Sequence, residues 1–524
     1  MNLANLTDAH PANRRALGGV EGWLDWGEVR IRARSVALGL SRLGIVPGDR
    51  VALAWPTSVE FVVGYIGALA AGAVVAPLNP VSPAAELERE IAFVEPAAII
   101  CGGQCAQIFS SLGETLVPPG RVIAPAADST GDSVDWESVL GGGLTEGGDL
   151  AEGGGPSEES SQSSDLQAVE RGDEDPAVML FTSGTSSSPR VCVLTHGNLT
   201  SNLSQMLAVP GRLLDEDDVG LAAVPFFHVF GLNVVLGLTI ATGAALVCEE
   251  RFEPEEALNL VEERGVTVVA GAPPMFADWA DMPDGHAGSF DKVRLLLSGA
   301  SALSPEVAER FRARFGIPIW EGYGLTEASP AVSTSVGLKA PRPGSVGRPL
   351  PGVEIRLVDE SGEDALSDDP GEIWVRGPNV FHGYWRDAEA TAEVLDDEGW
   401  LHTGDVGVLD VAGELHVVDR LKDLIIVSGF NVMPAEVERV IQSMDGVKEA
   451  LVIGVPHERT GEAVEAVVVP EPGSTITADE VVAYASRHLA HYKVPVRVRF
   501  TESLPHGLAG KALKRAVRES LSSL

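Results

Sequence analysis

The sequence predicts an α/β protein with largely parallel sheets, followed by a β-rich stretch and a small α+β domain at the C-terminal end. Three observations carry this. Short Val, Ile, Ala and Leu runs alternate with helix-period segments through most of the chain, as strands covered on both faces by helices do. From roughly Val353 the pattern turns strand-rich. Around Asp419 to Lys422 it turns again, into a tail of about a hundred residues, enough for a small domain of its own.

The elements follow in chain order. Arg50–Ala54, Ala97–Cys101, Ala177–Phe181, Gly220–Val224, Val266–Ala270 and Val293–Ser298 read as buried strands. Phe61 to Leu78 has no charged side chain, and Gly220 to Cys248 has none apart from His228. Both are long enough to raise a membrane-spanning reading. Gly64, Gly67, Gly72 and Pro77 punctuate the first, and Pro225, Gly231, Gly237 and Gly243 the second. Each therefore reads as a buried helix followed by a buried parallel strand, such as Ala73–Ala76 or Ala244–Val247. Ser82-Pro83 and Ser304-Pro305 look like N-caps with proline at the first helical position. Thr477 and Glu480 fit a capping box ahead of a helix over Ala478–Ala490. The strand-rich stretch offers Glu354–Val358, Gly371–Arg376, Val406–Leu409 and Glu414–Val418. Residues 141–164 contain almost nothing apolar and no positive charge, which predicts a solvated flexible insertion; its place ahead of a phosphate-loop candidate also admits a lid.

Composition narrows the function. The 524 residues are 45% hydrophobic, which supports a sizeable core and excludes global disorder. Lys plus Arg number 38 against 75 Asp plus Glu, a net charge of −37. So negative a surface repels phosphate backbones and anionic headgroups, which argues against a nucleic-acid or polybasic membrane role. A single loop can still bind a nucleotide locally. Four cysteines are too few for a disulfide framework, and the close pair Cys101 and Cys105 has no His or Cys cluster beside it to make a zinc site. The first residues have no apolar core of signal-peptide length. A cytoplasmic protein is expected.

Five segments carry chemistry. Ala177–Phe181 runs into Thr182-Ser183-Gly184-Thr185-Ser186-Ser187-Ser188-Pro189-Arg190, a loop of hydroxyls and glycine ending on a cation. Backbone N–H groups and hydroxyls of this kind can surround phosphate oxygens, although the Gly-Lys-Ser/Thr ending of a Walker loop is missing. Tyr323, Thr326 and Glu327 put an aromatic plate, a hydroxyl and a carboxylate within five residues. Trp400-Leu401-His402-Thr403-Gly404-Asp405 places a carboxylate after a glycine. Asp419-Arg420-Leu421-Lys422-Asp423 sits where the pattern changes, and Gly510-Lys511 lies near the C-terminal end. Taken one at a time, each has a plain structural reading. His228 could be a core histidine, Tyr323 a packing residue, Asp405 a turn residue and Lys511 one cation of a helix face with Lys514, Arg515 and Arg518.

In this order and spacing the segments resemble the adenylate-forming superfamily of acyl-CoA synthetases, non-ribosomal adenylation domains and beetle luciferases, over nearly the whole chain. Pro225-Phe226-Phe227-His228-Val229-Phe230-Gly231 and Val427-Ser428-Gly429-Phe430-Asn431 resemble fatty-acyl and coumarate-type CoA ligases more closely. The resemblance implies a large N-terminal domain over 1–418, built of stacked mixed and parallel sheets with helices and a β-rich subdomain at about 345–418. It implies a small mobile α+β domain over 419–524, with a hinge at about 419–423. It also implies two half-reactions: a carboxylate attacks the α-phosphate of ATP to give acyl-AMP and pyrophosphate, and the thiol of CoA then takes the acyl group. Such chemistry needs charge neutralisation and in-line positioning more than an acid–base pair.

The roles implied are these. Thr182, Ser183, Gly184, Thr185 and Arg190 would cradle the triphosphate. Tyr323 would stack on adenine, with Gly299, Ala300, Ser301 and Gly322 lining the purine. Thr326 would reach the α-phosphate and Glu327 would hold Mg²⁺. Asp405 would accept the ribose hydroxyls, and Arg420 would contact ribose or phosphate. Lys511 would stabilise the adenylation transition state. His228, Gly271 and Ala300 would border the acyl pocket. Lys422 would be the hinge, and Ser428 and Gly429 would line the path of CoA. Most of the pocket-lining candidates are small, and the segment after His228 is apolar, which points to a medium- or long-chain fatty acid or an aryl acid. The acceptor could instead be a carrier protein, and a homodimer is compatible with the sequence. The family's phosphate loop has glycine where this chain has Ser187 and Val191, and lysine where it has Arg190. Those departures leave room for a catalytically impaired AMP-binding homologue.

Overall fold

The computed structural model describes residues 1–19, 22–111, 116, 120–128, 133–141, 167–182, 190–283, 286, 288–359, 361–427, 430–457, 460–505, 514 and 517. The described chain forms two compact units. The first comprises Met1–Pro343, Pro349–Glu354 and Val375–Leu401; the second comprises Gly344–Arg348, Ile355–Trp374 and His402–Leu524. The fold is mixed α/β, with a large N-terminal sheet domain and a small C-terminal one, as the sequence predicts.

Two sheets build the first unit. One runs in spatial order Ala331–Thr334, Ile319–Gly324, Leu295–Ser298, Val268–Gly271, Val219–Ala222, Ala245–Cys248, Arg15–Gly19 and Gly22–Asp25. Its middle strands are parallel: Leu296 lies opposite Ile319, Gly271 opposite Ser298, and Ala222 opposite Cys248. The other runs Gly383–Tyr384, Arg190–Thr195, Pro176–Thr182, Val74–Pro77, Arg50–Ala54, Ala98–Cys101, Val122–Ala124 and Val134–Asp135. The apolar runs read as buried strands are strands here, within one or two residues at each end.

The two uncharged stretches resolve into short buried elements. The first is a helix over Val59–Ala70, capped by Ser58, and the strand Val74–Pro77. The second is the strand Val219–Ala222, a π-helix over Phe230–Gly237, a short helix over Leu238–Thr242 and the strand Ala245–Cys248. Among the described residues no helix is long and apolar enough to cross a membrane.

The Ser304 cap with Pro305 in the first turn and the Thr477–Glu480 capping box form as predicted, although the latter helix ends at His488. Ser82-Pro83 does not. The helix there spans Ala84–Val94, with Pro83 as its cap and no side-chain cap hydrogen bond. The Asn79 side chain and carbonyl have already bound the amides of Val81 and Ser82, so Ser82 belongs to the preceding turn.

In the second unit, the tail forms a sheet of Phe430–Val432, Ile425–Val427, Gly461–Pro470 and Val447–His457, with Arg497–Phe500 added in parallel to Gly461–Pro470. The helices Pro434–Gln442 and Ala478–His488 cover it through Val437, Ile441 and Val481, which pack on Ile425, Val452 and Val464. The β-rich segment forms a four-stranded sheet in the order Glu354–Val358, Gly371–Arg376, Leu401–Leu409 and Leu415–Arg420.

Candidate active site

In open α/β sheets, ligands bind beyond the carboxyl ends of parallel strands. Most of the residues singled out in the first unit lie there. Gly271 ends its strand, and its carbonyl accepts a hydrogen bond from Gly299 at 3.1 Å. Gly299, Ala300 and Ser301 follow the strand Leu295–Ser298, and Gly322 and Tyr323 lie in the next strand over. Ala300 has φ +69°, rare for a side-chain-bearing residue and the kind of strain that clusters at working sites. At Gly299 a Cβ would come within 2.9 Å of the Phe230 ring, so glycine lets that ring lie on the backbone.

His228 is not a core residue. It is solvent-exposed, at the end of the turn that leads into the π-helix. Its Nδ1 accepts from the Phe230 amide at 3.3 Å, so the neutral ring carries its proton on Nε2. Below this region a small apolar cavity of about 30 Å³ is lined by Leu221, Val234, Leu238, Leu246, Ala270 and Leu297, among others.

Thr182 and Arg190 are opposite each other at the ends of antiparallel strands, with the Thr182 hydroxyl 3.4 Å from the Arg190 carbonyl. Ser183, Gly184, Thr185 and Ser187 lie outside the described residues. The family's pattern makes position 191 a loop glycine, which this chain replaces with valine. Val191 is instead a strand residue opposite Phe181, fully buried against Val74, Ala76, Val94 and Met179. A side chain there fills core and does not stiffen the loop. Arg190 Nη2 lies 3.3 Å from Glu393, and its guanidinium carbon sits 5.5 Å from the centre of the Tyr384 ring.

Thr326 and Glu327 open a short 3₁₀ turn, Thr326–Ala328, that buried amides hold from below. Asn202, Asn233 and Asn379 are each at most 2% exposed. Asn379 Nδ2 donates to the Ala328 carbonyl at 2.9 Å, and Asn233 Nδ2 to the Ser329 carbonyl at 2.7 Å. Asn202 donates to the Ala331 carbonyl and accepts from its amide, at 2.8 and 3.1 Å. Gln205 Nε2 in turn donates to Asn379 Oδ1 at 3.2 Å. Sequence reasoning missed this layer. The signal available was an uncharged amide stripe, Asn198, Asn202 and Gln205, at helical spacing on the helix His196–Leu207.

The second unit brings Asp405 and Arg420 to opposite positions on adjacent antiparallel strands. Asp405 is 5% exposed. Its turn is fixed from several sides. Gly404 has φ +68°, and its amide donates to Glu372 Oε1 at 3.0 Å; the Asp405 amide donates to Thr403 Oγ1 at 3.1 Å. Lys422 lies in the 3₁₀ turn Leu421–Asp423, beside Asp419, whose Oδ2 accepts from the Ala435 amide at 2.9 Å. The side chains of Arg420 and Lys422, and all of Ser428, Gly429 and Lys511, lie outside what the structure describes.

Comparison with known proteins gives the class of protein that carries these turns, a nucleotide-activating acid ligase. The chain belongs to the AMP-binding enzyme family, whose model matches residues 4–385, with the AMP-binding enzyme C-terminal domain matching residues 436–511. It is 36% identical over 496 residues to a feruloyl-CoA synthase of an Amycolatopsis species, covering 94% of this chain and 93% of that one. It is 31% identical over 513 residues to a long-chain-fatty-acid–CoA ligase of Bacillus subtilis strain 168, covering 95% and 90%. The crystal structure of ATP-bound MatB from Rhodopseudomonas palustris superposes with a TM-score of 0.86 at 31% identity, covering 99% of this chain and 98% of that one. The protein is an acid–thiol ligase of the acyl-CoA synthetase type, in a family that uses ATP and CoA.

Proposed function

We propose that this enzyme adenylates a medium- or long-chain fatty acid or an aryl acid, releases pyrophosphate, and transfers the acyl group to CoA. The observation that carries the reading is the grouping of Gly271, Gly299–Ser301 and Tyr323 at the carboxyl ends of adjacent strands, with the Phe230 ring seated on Gly299 and His228 exposed two residues before it. Tyr323, Gly322 and the 299–301 turn would hold the adenosine, Asp405 and Arg420 the ribose, and Thr326 the α-phosphate. Thr182 to Thr185 and Arg190 would take the outer phosphates. His228, Gly271 and Ala300 would face the acyl group, and the segment Phe230–Gly237 that follows His228 carries no cation to pair with a second carboxylate, which suits a hydrocarbon or ring. Similarity to both a feruloyl-CoA synthase and a long-chain-fatty-acid–CoA ligase supports both acid classes.

Glu327 fits Mg²⁺. Among the described residues no group of three or more His, Cys, Asp or Glu side chains could hold a metal by itself. A lone carboxylate beside a phosphate-facing hydroxyl suits a hard cation that keeps its waters and arrives on a triphosphate. Bound there, the ion would neutralise charge on the phosphates. Lys511 would add a second cation during adenylation, and Ser428 and Gly429 would admit CoA afterwards. This assigns residues 1–418 to activation and residues 419–524 to a small domain turning on Lys422.

The test is pyrophosphate release and thioester formation across fatty, aryl and dicarboxylic acids, with and without CoA. Release with a fatty or aryl acid and thioester only with CoA is expected. Release without any thioester on adding CoA would move the acceptor to a carrier protein. No release from any acid would leave an AMP-binding homologue without adenylation activity.

A further inference from the structure

Glu327 is gripped by a segment that none of the sequence motifs includes. The Tyr384 hydroxyl donates to Glu327 Oε1 at 2.7 Å. The same segment binds the backbone of the turn: the Phe381 amide donates to the Glu327 carbonyl at 2.8 Å, and Asn379 Nδ2 to the Ala328 carbonyl at 2.9 Å. Tyr384 is itself well anchored. Its amide donates to Thr391 Oγ1 at 2.9 Å, and its strand pairs with Arg190–Thr195, placing Tyr384 opposite Cys192. Gly383 has φ +143°, and a Cβ there would lie 2.7 Å from Thr391 Cγ2. Glycine thus lets the Tyr384 strand close onto Thr391. The Phe381 ring meets the Tyr384 ring edge-on with centroids 5.0 Å apart.

We propose that Tyr384 is a positioning residue for adenylation. Its hydroxyl fixes one oxygen of Glu327, so that the other is presented to the divalent cation that accompanies ATP. This rests on the adenylation reading above. A hydrogen bond to a charged carboxylate is short and strong, and it removes the rotation that would otherwise let either oxygen turn inward. Arg190 backs the arrangement. Its planar guanidinium lies over the Tyr384 ring while pairing with Glu393, two contacts that a lysine ammonium would not match together. The position that departs from the family's lysine thereby acquires a purpose next to the metal carboxylate.

Tyr384→Phe deletes only the hydroxyl. The probe is Mn²⁺ binding in the presence of a non-hydrolysable ATP analogue, followed by the electron paramagnetic resonance of free Mn²⁺. The half-saturating Mn²⁺ concentration is expected to rise about tenfold, as loss of an outer-shell partner to a metal carboxylate does. The Mg²⁺ dependence of pyrophosphate release should move in parallel, and thioester formation from supplied acyl adenylate should not. In a Glu327→Gln background the same change should add little, because its partner charge is gone. An unchanged Mn²⁺ curve for a folded Tyr384→Phe enzyme overturns the assignment, as does an undiminished effect in the Glu327→Gln background. A parent enzyme that binds Mn²⁺ with the analogue but releases no pyrophosphate from any acid sinks the adenylation reading instead.

Discussion

Glu372 ties the backbone of Gly404 to a distant indole: Oε1 accepts the Gly404 amide at 3.0 Å while Oε2 accepts Trp374 Nε1 at 2.8 Å. The Trp374 ring in turn stacks on His402, with centroids 3.8 Å apart and planes 11° from parallel. One carboxylate therefore fixes the turn that presents Asp405.

Removing it should be felt by the nucleotide first. Glu372→Ala leaves the Gly404 amide and the indole N–H without their acceptor, a cost of about 1–3 kcal/mol. If Asp405 holds the ribose, KM for ATP should rise about tenfold while KM for the acid stays nearly constant. Glu372→Gln, which keeps one carbonyl oxygen, should lose less. Steady-state kinetics with each substrate varied decides this; equal changes in both KM values would mean that the turn serves the fold alone.

Restoring the family's glycine at 191 should harm the protein. Val191 is fully buried between Val74, Met179 and their neighbours. Val191→Gly deletes an aliphatic side chain from packed core and puts glycine into a strand, which together cost about 2–4 kcal/mol. Urea unfolding should show the loss. A variant as stable as the parent would place Val191 outside the packed core after all.

Glu249 makes the stability of the protein depend on pH. Both Glu249 carboxylate oxygens are buried without a hydrogen bond of normal geometry, and the side chain is 7% exposed. Burial pushes its pKa up to about 7; the Glu253 amide opposes this, and the Glu256 and Glu253 charges add to it. The folded state thus holds a proton that the unfolded state releases near 4.5. The group's contribution is fully present below about pH 4.5 and is lost as pH rises through about 7. Glu249→Gln should therefore stabilise the protein at pH 8, by on the order of 3 kcal/mol at most, and change little at pH 4.5. Melting temperatures at the two pH values test it, and a gain confined to the acid side would reverse the sign.

Much of this was legible in the sequence where local signals suffice. Ala177–Phe181 is a buried strand because a parallel-type core needs an unbroken apolar run, and Thr477 caps its helix because Glu480 stands three residues on. Legibility failed where the deciding partner is remote. The Glu327–Tyr384 and Asn379–Ala328 bonds join residues 57 and 51 positions apart, and nothing local marks Tyr384 or Asn379 as more than a turn tyrosine and a polar residue. His228 is the intermediate case. Its apolar neighbours read equally as core or pocket wall, and only the fold shows the ring open to solvent.

Single substitutions should separate the two half-reactions. Adenylation would need Lys511 at the phosphates, and thiolysis would need Ser428 and Gly429 there, so one arrangement of the small domain could not serve both. Lys422 sits in the single turn Leu421–Asp423, where a few backbone torsions would carry the change. Proline at 422 fixes φ near −65° and also restricts Leu421 before it. Lys422→Pro should keep acyl-AMP formation within a few-fold and cut thioester formation by orders of magnitude. Lys511→Ala should do the reverse, losing on the order of 10²-fold in acyl-AMP formation while still converting supplied acyl-AMP to thioester. Single-turnover kinetics of each half-reaction reads both. If Lys422→Pro makes thioester at the parent rate, the rotation model fails for this protein. If it loses only adenylation, the proline traps the opposite state, and the assignment of the two arrangements is reversed.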